Sequence, residues 1–202
     1  MDDTVNPLES DEPADWDRLL QAVNPASLLV GVQMRLGPVL ASRYQPEDVL
    51  QEALLSAWRH RSGHVWTGVR GFRAWLLTII DNRIRDLVDH TTTLKRGGRI
   101  LHESLSVSEA PQAIQSTTAS RIARYRDEAH VVLEALRSLP PEQAELIRLR
   151  LIEQMTLADI ARHLSLGESA VQHRFRRAAE AYQARLAAVA AQRTDSTDKK
   201  PR

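Results

Sequence analysis

Apolar side chains recur at helical spacing in segment after segment of this chain, and several of those segments open on proline. Pro25 follows Asn24, Pro46 follows Gln45, and Pro141 follows Pro140. Proline suits the first position of a helix, where its missing N–H has no intrahelical partner to lose. Behind Pro46, Val49, Leu50, Ala53, Leu54, Ala57 and Trp58 form one apolar face. Between Phe72 and His90, Trp75, Leu76, Ile79, Ile80, Ile84, Leu87 and Val88 do the same. Such a period requires packed helices rather than sheets. Aromatic residues make up only 4% of the chain, which agrees with cores built from Leu, Ile, Val and Ala. The expected fold class is therefore all-α.

The helices fall into two groups. A first segment runs from about Asp15 to Val23. A second starts on Asn24, whose side chain can cap it, and covers "PASLLVGVQMRLGPVL". A third starts on Pro46, with Glu47 and Asp48 in its first turn, where acids favour the helix dipole. "SGHVWTGVRG" interrupts with three glycines before the long fourth segment. From Thr91 the pattern lapses into a stretch rich in Thr, Ser and Gly, read as a flexible linker over 91–121. Helical spacing returns near Ile122 and continues through Leu139; a helix after Pro141 ends near Glu153, and Thr156 with Asp159 forms the signature of a capped start. The last helix is expected from Glu168 to about Ala190. The expected organisation is thus an acidic disordered tail over 1–14, a helical domain over 15–90, the linker, a second helical domain over 122–190, and a polar tail over 191–202.

Composition removes several function classes. There is no cysteine, hence no disulfide, thiolate metal site or cysteine nucleophile, which suits a reducing cytoplasm. The first residues lack a basic n-region and apolar core, so no secretory signal is expected, and no apolar run is long enough to cross a bilayer. His60 and His64 stand four apart, but in a glycine-broken context without an acidic third ligand, so no metal is expected. "KRGGR" is no phosphate-binding loop, and no enzyme constellation or cofactor motif is present. Net charge is only +1, yet it hides asymmetry. Six acids and no base occupy the first fifteen residues, whereas six bases and three acids lie between Phe72 and Arg99. The charge sign alone suggests that the acidic start contacts a basic surface in the free state, the chain's own linker being one candidate.

"MTLADIARHLSLGESAVQHRFRRA", Met155 to Ala178, reads as two short helices around a tight turn. Ala161, Leu164, Leu166, Val171, Phe175 and Ala178 supply the small and apolar positions that hold a second helix on a first. The outward face then carries Glu168, Ser169, Gln172, His173, Arg176 and Arg177, with Arg174 at one flank. Gln can read an adenine edge, and Arg a guanine edge or a phosphate. A solvated basic face on an ordinary helical hairpin is the plainer alternative.

Together with "LPPEQAELIRLRLIEQ" upstream, this segment resembles region 4 of bacterial RNA polymerase sigma factors of the extracytoplasmic-function (ECF) group, sigma-70 family. The matching elements are Leu139-Pro140-Pro141, Asp159-Ile160-Ala161, the turn ending at Gly167, and Val171 with Arg174 and Arg177. "QPEDVLQEALLSAWRHR" resembles the group's region 2.2, through Glu47, Asp48, Gln51, Glu52 and Trp58. "FRAWLLTIIDNRIRDLV" resembles its melting and −10 recognition helix, through Phe72, Arg73, Trp75, Leu76, Asn82 and Asp86. The motifs stand in the family's order, with a linker where other sigma factors carry a middle domain.

The resemblance implies a non-enzymatic promoter-selecting subunit without cofactor or metal, working in the cytoplasm. Asp48, Gln51 and Glu52 would dock on the clamp helices of the polymerase core's largest subunit, and region 4 on the flap. Arg73, Asn82, Arg83 and Arg85 would meet −10 promoter DNA, with Asn82 reading a base. Ser169, Gln172, His173, Arg174 and Arg177 would meet the −35 element. An anti-sigma factor is a further implied partner; a membrane is not. Two departures stand out: Leu77 replaces a frequent aromatic, and Asp81 places a negative charge beside Asn82. The alternatives are a helix-turn-helix regulator that does not bind polymerase core, and a helical interaction module whose basic faces meet an acidic protein.

Overall fold

The computed structural model describes residues 6–95 and 112–198. Among the described residues every regular element is helical, and the chain divides into two compact units, Met1–Arg126 and Asp127–Arg202. Four helices build most of the first unit: α1 (Pro13–Ala22), α2 (Pro25–Ala41), α3 (Pro46–His60) and α4 (Gly68–Lys95). α5 (Gln112–Arg137) precedes the rest of the second unit: α6 (Pro141–Ile147), α7 (Leu157–His163) and α8 (Glu168–Asp198).

The proline-headed starts form as the sequence predicts. Asn24 adopts a left-handed φ of 56° and its side chain accepts a hydrogen bond from the Ser27 N–H. The α2 segment is not one straight helix, however. Gly37 takes φ 60° and ψ 173° just before Pro38, breaking the backbone ladder inside the segment. Pro38 cannot donate a backbone hydrogen bond, and glycine tolerates the conformation that results.

The core of the first unit is an aromatic cluster wrapped in aliphatic side chains. Trp16 of α1 meets Trp58 of α3 edge-on at 5.2 Å between ring centroids and Phe72 of α4 at 5.8 Å. Leu19, Leu28, Leu29, Leu50, Leu76 and Ile80 close around them, all fully buried. α1 therefore completes the core against which α4 is set.

The start of α4 has no room for a side chain at Gly71. A Cβ there would lie 1.9 Å from Oγ1 of Thr67 and 3.1 Å from its Cβ. Thr67 is short and attached directly to the helix start, so backbone must move. Gly71→Ala is expected to destabilise the first unit by about 1–3 kcal/mol, the usual penalty of overpacking. Adding Thr67→Ala removes the 1.9 Å contact but not the 3.1 Å one, so thermal melts should show partial recovery.

Three boundaries differ from those expected of the sequence. Residues 6–14 are not a disordered tail. Pro7–Glu9 form a 3-10 turn capped by Asn6, and Leu8 is buried to 1% exposure. The acidic composition concealed this because a single apolar anchor suffices to seat so short a segment. Residues 1–5 of that tail lie outside the described residues. The linker is also shorter than 91–121. α4 runs on to Lys95, with Thr91 buried and its hydroxyl donating to the Leu87 carbonyl at 2.8 Å. α5 begins at Gln112, which leaves 96–111 outside the described residues. Thr and Ser at helix ends return their hydroxyls to the backbone, so their abundance is a poor breaker signal. Finally, α8 extends to Asp198 rather than ending near Ala190, and on it Arg193 pairs with Asp127 at 2.8 Å.

In the second unit, α6 continues as a π-helical turn, Arg148–Ile152. Arg148 is held there by Glu145 at 2.8 Å and Glu153 at 3.0 Å. The guanidinium bond from Arg148 holds the Glu145 carboxyl below the usual range, outweighing the opposing effect of burial. A carboxylate depressed on folding stabilises above its unfolded value of 4.5 and loses that contribution as pH falls through the lowered folded value. Glu145→Gln is therefore expected to melt earlier than the parent at neutral pH, with the gap closing in acid. A gap that stays constant with pH would contradict this.

Candidate polymerase and promoter interface

Three helices carry the predicted contacts, and the structure sorts the residues on each. On α3, Asp48, Gln51 and Glu52 lie at i, i+3 and i+4, one helical face. Asp48 is exposed, while Gln51 and Glu52 are half-buried. Behind them Val49, Leu50, Ala53 and Leu54 fix the helix in the core. Glu52 is not a free carboxylate: Arg83 of α4 donates its Nε to Glu52 at 2.5 Å. A residue expected at polymerase and one expected at DNA thus neutralise each other. The exchange of water for this pair is worth little, because both side chains keep solvent contact.

Arg73 does not belong to any DNA-facing surface. Its side chain is 1% exposed, and its guanidinium donates to the Val23 carbonyl at the end of α1. The reading of Arg73 as a −10 contact is corrected accordingly. Its position was legible from phase: Arg73, Ile80 and Leu87 are seven residues apart and all buried. The opposite face of α4 is the open one. Asn82, Arg85 and Asp86 are exposed there, and Arg85 donates to the Asn82 side-chain oxygen at 2.8 Å. Asp81, expected to place an adverse charge beside Asn82, is instead paired with Arg35 of α2 at 2.8 Å. Leu77 is buried and takes part in packing.

At the corner between α3 and α4, His64 stacks on Trp75 with ring centroids 4.2 Å apart and planes 8° from parallel. Burial against that ring lowers the His64 pKa, which favours the neutral imidazole at pH 7. Trp75 is half-buried in this stack rather than sealed in the core. Val65, next to it, is 77% exposed. No group of three or more His, Asp or Glu side chains placed to hold a metal ion occurs among the described residues.

The helix-turn-helix is built as its sequence requires. Thr156 accepts from the Asp159 N–H at 3.1 Å, and Asp159 accepts from the Thr156 N–H at 3.4 Å. Together these form the capping box that starts α7. Ser165 takes a left-handed φ of 54° in the turn, and the Leu166 N–H closes it on the Ala161 carbonyl at 2.9 Å. Val171, Ala178 and Tyr182 form the buried stripe of α8, with Phe175 half-buried between them. Burial pushes the Tyr182 hydroxyl up to about 12, so it stays protonated.

Opposite that stripe, Ser169, Gln172, His173 and Arg176 stand exposed at i, i+3, i+4 and i+7. With Leu157 of α7 they border one open concavity of about 650 Å³. Arg174 and Arg177, also exposed, line another of about 580 Å³, shared with Glu142, Gln143 and Glu145 of α6. The five residues predicted for −35 contact therefore divide between two faces. Arg176 belongs to the first, although the predicted contact set omits it; the three- and four-residue spacing from Ser169 was the available signal.

Residues 26–92 match the family model for Sigma-70 region 2, and residues 129–181 match that for Sigma-70, region 4. Among curated proteins, the chain is 30% identical over 137 residues to the ECF RNA polymerase sigma factor SigL of Mycobacterium tuberculosis strain H37Rv, covering 68% of this chain and 72% of that protein. It is 28% identical over 127 residues to the ECF RNA polymerase sigma factor BldN of Streptomyces coelicolor, covering 62% of this chain. That match spans only 45% of the BldN length. The chain belongs to the ECF group of sigma-70 family RNA polymerase sigma factors. Region 2 beside region 4 sets a sigma-factor function above that of a helix-turn-helix regulator without polymerase binding. No helix among the described residues is long and apolar enough to cross a membrane.

Proposed function

We propose that this chain binds RNA polymerase core in the cytoplasm and directs it to promoters through two separate DNA-facing helices. The observation that carries the reading is the exposed polar stripe of α8, held outward on a helix-turn-helix whose other stripe is buried. Ser169, Gln172, His173 and Arg176 enter the major groove of the −35 element, with Arg174 and Arg177 beside them on the phosphates. Asn82 and Arg85 of α4 meet the opened −10 region, where separated bases expose their edges, and Arg83 flanks them. Asp48 and Gln51, with Glu52 behind, present the acidic and amide face that docks on the clamp helices of the core's largest subunit. Region 4 rests on the polymerase flap, and an anti-sigma partner covering these faces belongs to the same reading. The contribution is sequence selection rather than covalent chemistry.

The test is reconstituted transcription with purified chain, bacterial polymerase core and a genomic promoter pool, read by sequencing transcript starts. Starts sharing upstream elements, and disappearing when Gln51 and Glu52 are both replaced by alanine, are expected. Absence of both starts and core binding would refute the reading.

A further inference from the structure

The segment before α1 lies outside the matched region 2, yet it is fastened to the corner that leads into α4. Leu8 is sunk into the first unit at 1% exposure. The 3-10 turn that carries it, Pro7–Glu9, packs both on α1 and on the turn Arg61–Gly63 between α3 and α4. Ser10 donates to Asp15 at 2.6 Å, closing the segment onto the first turn of α1. Asp11 then reaches Arg61, a residue fifty positions away in sequence.

Arg61 is the hub of that corner. Its guanidinium lies 3.6 Å from the centre of the Trp58 ring and donates to the Trp58 carbonyl at 2.8 Å. Trp58 touches Trp16, and Trp16 touches Phe72, the residue next to Arg73 at the start of α4. The following residues bring His64 onto Trp75 and Trp66 to within 6.2 Å of Phe72. A series of contacts through one cation and one aromatic cluster thus links the acidic segment to α4. An arginine in this place without Asp11 would keep its ring and carbonyl contacts but gain freedom to swing.

We propose that Asn6–Asp15 is a positioning strap, in which Leu8 and Asp11 hold Arg61 and the α3–α4 corner so that α4 is presented to −10 DNA. The inference rests on the −10 role proposed above for α4. It makes the N-terminal segment a determinant of promoter response rather than an acidic tail. Asp11 and Leu8 are positioning residues: neither needs to touch DNA.

The experiment uses the full chain with polymerase core and compares Asp11→Asn, Asp11→Glu and Leu8→Ala. Asp11→Asn is expected to raise the promoter concentration giving half-maximal open complex by about threefold to fivefold, the upper end of what an exposed ion pair carries. Core affinity should stay within about twofold, because Asp11 lies outside the Asp48, Gln51 and Glu52 face proposed to dock on core. Asp11→Glu should restore the promoter response, which a purely structural loss would not do. All four tryptophans lie in or beside the corner, so intrinsic emission should shift in Asp11→Asn and return in Asp11→Glu. Leu8→Ala, which risks general destabilisation, is read by amide exchange: faster exchange confined to residues 61–67 supports the strap, and uniform loss of protection opposes it. A wild-type promoter response in Asp11→Asn overturns the proposal, as does a parallel fall in core affinity. If the parent chain itself failed to bind core, the sigma role would fall; unchanged exchange at 61–67 in Asp11→Asn would separately dismiss the strap.

Discussion

Arg73→Ala is expected to lower the stability of the first unit by roughly 2–4 kcal/mol, because it strips a buried charged donor from a carbonyl and removes a long packed stem. Arg73 is the largest fully buried side chain among the described residues, and it donates to the Val23 carbonyl at the end of α1. A −10 contact residue would behave differently. Its alanine variant would melt like the parent and lose only promoter binding. Denaturant unfolding followed by tryptophan emission separates the two, since every tryptophan sits in this unit. Arg73→Met, which keeps volume but not the donor, should fall between parent and Arg73→Ala. A melt of Arg73→Ala indistinguishable from the parent would restore the DNA-contact reading.

The second large effect is expected on α8. Replacing Gln172 or Arg176 by alanine should weaken binding to the preferred −35 element by about 1–3 kcal/mol each, the range of a bidentate base contact. That corresponds to about five- to 150-fold in affinity. The loss should depend on sequence: each variant should tolerate a substituted base at one position of the element better than the parent does. Arg174→Ala should behave otherwise. It lines the concavity shared with Glu142 and Glu145 rather than the one bordered by the exposed stripe, so its effect should be smaller and similar on every sequence. It should also reduce the salt dependence by about one phosphate contact. Competition binding against a library of −35 variants, repeated at two salt concentrations, reads all three. Equal, sequence-independent losses for Gln172, Arg174 and Arg176 would dissolve the division of α8 into two faces.

Much of this arrangement was legible in the chain because helices announce themselves locally. Asn24 caps α2, and Thr156 with Asp159 boxes the start of α7, as their side chains dictate within three residues. The outward stripe of α8 follows from phase once Val171, Phe175 and Ala178 are assigned to the core. The failures are of another kind. Arg73 was assigned to −10 DNA through the family resemblance although its phase matched Ile80 and Leu87, and the phase was the stronger argument because a buried carbonyl can accept from a guanidinium. Leu8 was overlooked among six acids. Thr91 was taken as a breaker when its hydroxyl bonds back to Leu87.

Sequence alone determined what depends on neighbours a few residues away: the all-α class, the capped starts, the two motif-bearing domains and the face of each helix that is apolar. Tertiary structure decided which charges remain available. Asp11 finds Arg61, Arg73 finds Val23, Arg83 finds Glu52 and Asp81 finds Arg35, each across thirty residues or more. A charged side chain reads identically in sequence whether it faces DNA, a carboxylate or a buried carbonyl. Only the packing of distant helices brings one of those partners within hydrogen-bonding reach, and the partner it meets sets its role.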